Sequence, residues 1–466
     1  MRHELGLTLI LLILAVVNLA LRDEHKYRII PWAVGLFAVN LLAGFLPGAY
    51  GTLFGGMYLM NEPVWLMKNI LNTGTFIVFL FSAGWLRREL ENKPRAADYF
   101  ILLLSSLTGM FFMISSGHFL MFFIGLELAT IPVAALAAFE QKVRRSAEAG
   151  VKLILLSTFS SAIMLFGISF LYGTTGSAYF DSMMSGIIGS PLQVLGFIFF
   201  FAGLAFKISI VPFHLWTADV YEGAPVNVSG FLSVVSKGAA VFILMILLFN
   251  VFRMIEGSWV KVLYVTSILT MTIGNLFALR QQNLKRFLAF SSIAQAGFIL
   301  LGMIAGNALS MTVVLYFVFI YIFSNLAAFG VVSVIYNQTG REMMHDYNGL
   351  YRTNPKLSLV MMLAMFSLAG VPPVAGFFGK FFLFTAAASK GYYWLVIIGV
   401  VNATISLYYY LLVVKAMFIN ENEAPLAFFT TDHWARAGLV ICALGILAVG
   451  FIGPLFDFMN RVALGF

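Results

Sequence analysis

Charge is scarce in this chain. Of 466 residues only 10% are Asp, Glu, Lys or Arg, against 61% hydrophobic, and mean hydropathy is +0.95. A soluble globular chain carries about 25% charge, so the composition excludes an aqueous fold and implies a polytopic membrane protein. Cysteine is scarcer still. The single Cys442 excludes a disulfide framework, a thiolate-held iron–sulfur cluster and a CxxC zinc site; it lies in the last apolar run, where a small packing residue suffices. HExxH, GxxxxGK[ST] and a GxGxxG following a strand are all missing. The chain is therefore expected to hold no cofactor, no metal and no redox centre.

What is present is a series of about fourteen apolar runs of helical membrane-spanning length, continuous rather than alternating as barrel strands would be. They fall at 5–21, 29–46, 66–86, 98–116, 118–139, 149–172, 190–211, 227–251, 261–279, 286–305, 310–336, 356–386, 391–417 and 435–459. The expected class is all-α. The first run ends at Leu21, before Arg22, with no small-residue cleavage pattern, so it reads as an uncleaved span.

A net charge of +8 would suggest nucleic acid in a soluble protein, but here the cations sit in short loops between spans. With the N-terminus outside, clusters such as Arg87-Arg88, Arg144-Arg145 and Lys285-Arg286 fall inside, leaving only scattered cations such as Lys68, Lys261 and Lys390 outside. That asymmetry is the positive-inside pattern and predicts both termini on the outer side, with the lipid bilayer as the partner and no nucleic acid.

Five lysines do not belong to loops: Lys152, Lys207, Lys237, Lys380 and Lys415 lie within apolar runs. Lys415 is close enough to its span's end to snorkel. Lys152, after Arg144, Arg145 and Glu148, is either interfacial or turned to a polar interior. The others are deep, where an ammonium costs roughly 2.5 to 3.5 kcal/mol on the insertion scale, and such residues mark transport paths.

Two of these lysines accompany breaks. The seventh run carries Lys207 before Pro212, and the twelfth holds Gly370-Val-Pro-Pro-Val-Ala-Gly376-Phe-Phe-Gly379 and then Lys380. Proline removes a backbone donor, and a break at membrane depth is tolerated only against protein or water, so each predicts a hydrated cavity. The breaks are five spans apart and run in opposite directions. Spans four to eight and nine to thirteen thus read as two inverted five-helix units. The expected organisation is three helices over 1–97, a first unit over 98–252, a second over 253–417 and a last helix over 418–466.

Glu127 reads as the only carboxylate deep inside an apolar run, with Lys207 or Lys237 as its natural partner. One acid neutralises one amine and leaves the other deep lysines without a counter-ion. Removal from water disfavours an ammonium and a neighbouring cation disfavours it further, so a row of such amines can exchange protons. His214 can pass protons between a cavity and the inner surface. Asp219 and Glu222 read as solvated loop carboxylates, and His118 as interfacial. A static ion pair fixing helix register is the structural reading of Glu127.

At Pro212-Phe-His-Leu-Trp-Thr-Ala-Asp-Val-Tyr-Glu-Gly-Ala-Pro225 the chain resembles the subunit N family of bacterial respiratory complex I, the NADH-quinone oxidoreductase. Gly125-Leu-Glu-Leu-Ala-Thr-Ile-Pro132, the block from Asn275 to Gly297, and Leu368 to Lys380 resemble its other blocks, so the likeness runs from about 118 to 415. The resemblance implies an antiporter-like subunit of fourteen helices. In it Glu127, Lys207, Lys237 and Lys380 form the proton relay; Lys152 and His214 are further candidates from their own positions in the sequence, apart from the resemblance. It implies a bacterial cytoplasmic membrane and, as partners, the other membrane-arm subunits. NADH, FMN, iron–sulfur clusters and quinone would be used elsewhere in the complex. Ala218 departs from the family, which usually has proline there. An Mrp-type cation/proton antiporter subunit and a purely structural membrane subunit are the alternatives.

Overall fold

The computed structural model describes residues 1–46, 48–88, 93–306, 308–422 and 426–464. The principal helices among them are α1 (Arg2–Ala20), α2 (Ile29–Gly44), α3 (Glu62–Arg88), α4 (Ala96–Ile114), α5 (Phe119–Ala137), α6 (Arg144–Thr175), α7 (Pro191–Ile208) and α8 (Leu215–Gly223). There follow α9 (Val226–Phe249), α10 (Glu256–Ala278), α11 (Leu284–Met303), α12 (Ala308–Thr339), α13 (Pro355–Ala369), α14 (Ala375–Ser389), α15 (Tyr393–Phe418), α16 (His433–Phe451) and α17 (Gly453–Leu464). By length and hydropathy 13 helices among the described residues can each cross a membrane. The twelfth apolar run corresponds to two shorter apolar helices, α13 and α14, so that each of the fourteen runs has its helix or helix pair. The all-α class holds. Its small exception is a hairpin of β1 (Gly51–Leu53) and β2 (Tyr58–Met60), antiparallel with Gly51 opposite Met60.

Local chemistry sets the helix ends. Ser190 and Gln193 form a capping box at the start of α7, and the Asn283 side chain accepts from the Lys285 and Arg286 amides at the start of α11. Both interrupted crossings stop at a residue with left-handed backbone: Ser209 after α7, with φ +69°, and Gly370 after α13, with φ +86°. Glycine takes that conformation freely, while serine carries a Cβ penalty. Ser209 is held in place by Thr217, whose hydroxyl donates to its Oγ at 2.7 Å.

The packing has a centre and a rim. Helices α9, α11 and α12 are almost wholly buried, and being apolar on all sides they suit that position. Around them α1, α2, α6, α15 and α16 expose large side chains such as Leu9, Trp32, Phe159, Trp394 and Leu444, a surface for hydrocarbon rather than water. Helices α4 and α5 meet closely because Gly109 and Gly125 lie where any Cβ would strike the other helix's backbone. That contact fixes how α5 presents its polar residues. Because successive helices alternate in direction, the hairpin, the start of α1 and the start of α3 lie at one membrane face. The start of α6, the end of α8 and the start of α11 lie at the other.

A buried row of amines as the candidate functional site

Lys207 occupies the last turn of α7 and is buried. Its ammonium donates to Thr130 Oγ1 on α5 at 2.7 Å, while the Thr130 hydroxyl donates back to Leu126 O at 2.6 Å. Glu127 lies one turn before Thr130 on the same helix and makes no ion pair with Lys207 among the described residues; its Oε1 is buried without a hydrogen-bond partner. Acid and amine are thus presented by facing helices, with the amine resting on a hydroxyl beside the acid.

Lys237 follows a π-helical turn, Leu232–Ser236, within α9. Such turns re-aim side chains and recur at functional sites. Its ammonium donates to Ser292 Oγ at 2.9 Å and Ser292 O at 3.1 Å on α11. The hydroxyls of Tyr221 and Tyr321 face Ser292 without closing a hydrogen bond. No hydrogen bond among the described residues joins Lys207 directly to Lys237.

From Lys237 onward the polar groups continue. Ser291, next to Ser292, shares a 2.6 Å hydrogen bond with Tyr410 OH on α15. Gln295 Nε2 donates to the same oxygen at 3.1 Å and to Leu368 O at 3.0 Å. One turn before Tyr410, Ser406 Oγ lies 3.5 Å from Lys380 Nζ, which donates to Ala369 O at 3.0 Å and sits 4.8 Å from the Phe298 ring centroid. Gln295, Tyr321, Ser324, Ser367 and Lys380 border a cavity of about 10 Å³, near the smallest space that takes a water molecule. The second break therefore borders a small cavity of mixed lining, since Phe317, Ile320 and Leu368 complete its wall. The first break differs: the 210 Å³ pocket beside Pro212 is lined by Phe159, Phe206, Phe213 and Trp216 and is apolar.

Lys152 is not in this row. It pairs with Asp219 at 2.8 Å and Glu148 at 2.7 Å, in a ring where Arg286 joins Asp219 and Glu222 at 2.8 and 2.9 Å. Arg145 approaches Glu222 and Glu342, and Lys285 approaches Glu342. The ring encloses about 220 Å³ at the membrane face where α6 begins. Asp219 and Glu222 are therefore ion-paired rather than solvated loop carboxylates. Partial burial raises the Asp219 carboxyl, but the bonds from Lys152 and Arg286 outweigh it and hold it below the usual carboxylate range. His214 lies between α7 and α8, buried, with Nδ1 unpartnered.

Hydropathy does not find the most deeply buried acid: Glu127 is half-buried as a side chain, whereas Glu4, which lies before its apolar run, is fully buried and forms an ion pair with Lys68 on α3. Glu4 precedes its apolar run and Lys68 opens the third, so both read as interfacial until the hairpin covers them. Thr130, Ser292, Gln295, Ser406 and Tyr410 are contributors that hydropathy does not single out. Part of their signal is in the sequence: Ser291, Ser292 and Gln295 recur at helical spacing within an apolar run.

Residues 116–406 match the family profile described as NADH:quinone oxidoreductase/Mrp antiporter, TM. NADH-quinone oxidoreductase subunit N of Phocaeicola vulgatus is 51% identical over 465 residues, covering 100% of this chain and 98% of that protein. Its counterpart in Azobacteroides pseudotrichonymphae is 49% identical over 467 residues, with 99% and 97% covered. Among solved structures, a chain of respiratory complex I from Thermus thermophilus with bound Aureothin superposes with TM-score 0.81 at 29% identity, covering 100% of both chains. A chain of the Mrp complex from Dietzia sp. DQ12-45-1b, at TM-score 0.87 and 19% identity over 99% of this chain and 96% of that one, shares the fold. With the profile spanning more than half of its length and relatives of this identity matched from end to end, the chain belongs to the NADH:quinone oxidoreductase/Mrp antiporter family of membrane subunits.

Proposed function

We propose that this chain is the N subunit of a proton-pumping NADH-quinone oxidoreductase and carries protons along the buried amines. Electrons would pass from NADH through flavin and iron–sulfur clusters to quinone in other subunits, while this chain contributes no redox group. One observation supports a relay over static helix glue. Lys207, Lys237 and Lys380 are each held by hydroxyl or carbonyl oxygens, and none is ion-paired among the described residues. Glue would pair each buried ammonium with a carboxylate, because an uncompensated buried charge is costly. Here each amine can lose its proton without leaving a buried carboxylate unpaired.

Glu127 and Lys207 form the switch in this reading. With Lys207 on Thr130 the pair is open. When the ammonium moves to Glu127 the proton is held; when it returns, the proton is given up toward Lys237 and then Lys380. Lys152 belongs to the charged ring at the inner face, and His214 takes protons from that side. The segments 98–252 and 253–417 act as two inverted units around the row, preceded by helices over 1–97 and followed by 418–466. The chain spans a bacterial cytoplasmic membrane with both termini periplasmic, beside the neighbouring antiporter-like and small membrane-arm subunits. Outward movement opposes about 2.3 kcal/mol per charge per 100 mV, so the energy comes from the redox arm.

The test is NADH-driven proton uptake by vesicles carrying Lys207→Ala, with assembly checked by native gel and electron transfer followed separately. Pumping should fall in an intact complex. Undiminished pumping would move the lysines to a structural role.

A further inference from the structure

The relay leaves one buried charged cluster unused. Where α1, α3, the end of α4 and the hairpin converge, Glu4 pairs with Lys68, and Tyr58 OH bonds both, at 3.1 Å to the carboxylate and 3.0 Å to the ammonium. Glu4 is 1% exposed and Lys68 0%. His3 adjoins them: its ring meets Phe111 edge-on at 5.9 Å, and the Lys68 ammonium lies 5.7 Å from the same ring. Both His3 nitrogens are buried without a hydrogen-bond partner, as are Ser115 Oγ and both amide atoms of Asn72, one turn beyond Lys68. The other charged groups facing the cluster are the Met1 amine and Arg2, which is turned to Gly44 O and Leu46 O.

Structural need explains this poorly. The ion pair alone would serve to hold α1 to α3, but helix glue has no need of the His3 imidazole beside it, buried with neither nitrogen bonded at a cost in stability. The place is informative. The cluster lies at the membrane face opposite the Lys152–Asp219–Arg286 ring. Its helix α3 runs on against Lys237's segment, where Met67 and Leu71 border Gly238 and Gly74 borders Val235.

We propose that Glu4, Lys68 and His3 form a second proton-exchange site, a release station on a branch that leaves the row at Lys237, beside the route to Lys380, for the face where the chain begins. At rest Glu4 is a carboxylate, Lys68 an ammonium and His3 neutral. An arriving proton neutralises Glu4 and breaks its pairing with Lys68. Lys68 then draws the carboxylate back, and the proton passes to one His3 nitrogen while the other nitrogen's proton leaves outward. The cluster returns to its starting charge with the imidazole tautomer reversed. Asn72 lies one turn beyond Lys68 on α3, with both amide atoms buried and free to take a proton-carrying partner.

This inference rests on the relay reading, and the experiment separates the two. Assembled complex in vesicles is compared as wild type, Lys237→Ala, Glu4→Gln/Lys68→Met and His3→Gln, with protons taken up per electron measured across pH. In the double and His3 variants the ratio is expected to fall below wild type, toward the Lys237→Ala level, while electron transfer persists. His3→Gln removes no ion pair and so serves if the double variant fails to assemble. If Lys237→Ala loses pumping while His3→Gln keeps the wild-type ratio at every pH, the release station is overturned and the relay stands. The station is likewise overturned if the single Glu4→Gln and Lys68→Met changes lower complex content and the double change restores content and pumping together. If Lys237→Ala pumps normally, both readings fall.

Discussion

Thr130 can hold Lys207 because a hydroxyl both donates and accepts: its proton goes to Leu126 O and its lone pair takes the ammonium. Thr130→Val keeps the shape and removes the acceptor, leaving a buried ammonium short of a partner at about 1–3 kcal/mol. Lys207 should then rest on Glu127, and protons pumped per electron should drop with electron transfer intact, while Thr130→Ser restores the ratio. A Thr130→Val complex pumping at the wild-type ratio would show that the hydroxyl is no part of the switch. At this scale the sequence is legible where a residue is costly. Lys207, Lys237, Lys380 and Glu127 stand out because ionisable groups in apolar runs are expensive. Threonine and serine are ordinary in such runs, so Thr130 and Ser292 are recognised only when another helix brings an ammonium to them. Glu4 and Lys68 stay hidden for a different reason. Each lies at the edge of an apolar run, and its burial depends on the hairpin over 51–60.

The two interruptions are readable as elements, since Pro212 and the Pro372-Pro373 pair remove backbone donors just past the ends of α7 and α13, although proline alone is not decisive, as Pro132 is accommodated inside α5. What surrounds each break is not readable, because lining is a property of neighbours. The second break meets Gln295, Tyr321 and Ser324 alongside Phe317 and Ile320, and the first meets chiefly phenylalanines. Beyond the first break, α8 carries Asp219 and Glu222 to α6 and α11, and the ring so formed ties α8 to both. These pairs are partly exposed, worth about 0.2–1 kcal/mol each, and suited to opening. Asp219→Asn should therefore lower thermal stability only slightly, yet change proton uptake from the α6 face, measured as uptake rate against pH. The sign for the native ring follows from Asp219 being held below the usual carboxylate range. Its stabilising share is complete above the ordinary Asp pKa and is lost as pH falls through the lowered value. An uptake rate identical in Asp219→Asn at all pH would detach the ring from proton entry.

For the whole molecule, the apolar runs foresee the long helices, because a bilayer about 30 Å thick sets helix length: thirteen of the fourteen runs are helices long enough to span, and the twelfth is the shorter pair α13 and α14. Span ends move by several residues where caps rather than hydropathy decide them: the run at 149–172 becomes Arg144–Thr175, since its first turns carry Arg144, Arg145 and Glu148 to the interface. Which helices form the centre is not legible from hydropathy alone, as the peripheral α1 and the fully buried α9 are both strongly apolar. Sidedness can be measured directly because the chain is nearly free of cysteine. Cys442 is buried, so an impermeant thiol reagent has almost no background. Lys390 and Arg341 are exposed at opposite faces, one before α15 and the other after α12. With fourteen crossings and both termini periplasmic, Lys390→Cys should label in intact spheroplasts and Arg341→Cys only after permeabilisation. The reverse pattern would place the charged ring outside and the Glu4–Lys68 cluster inside. The direction of proton travel assigned to the row would then have to be inverted.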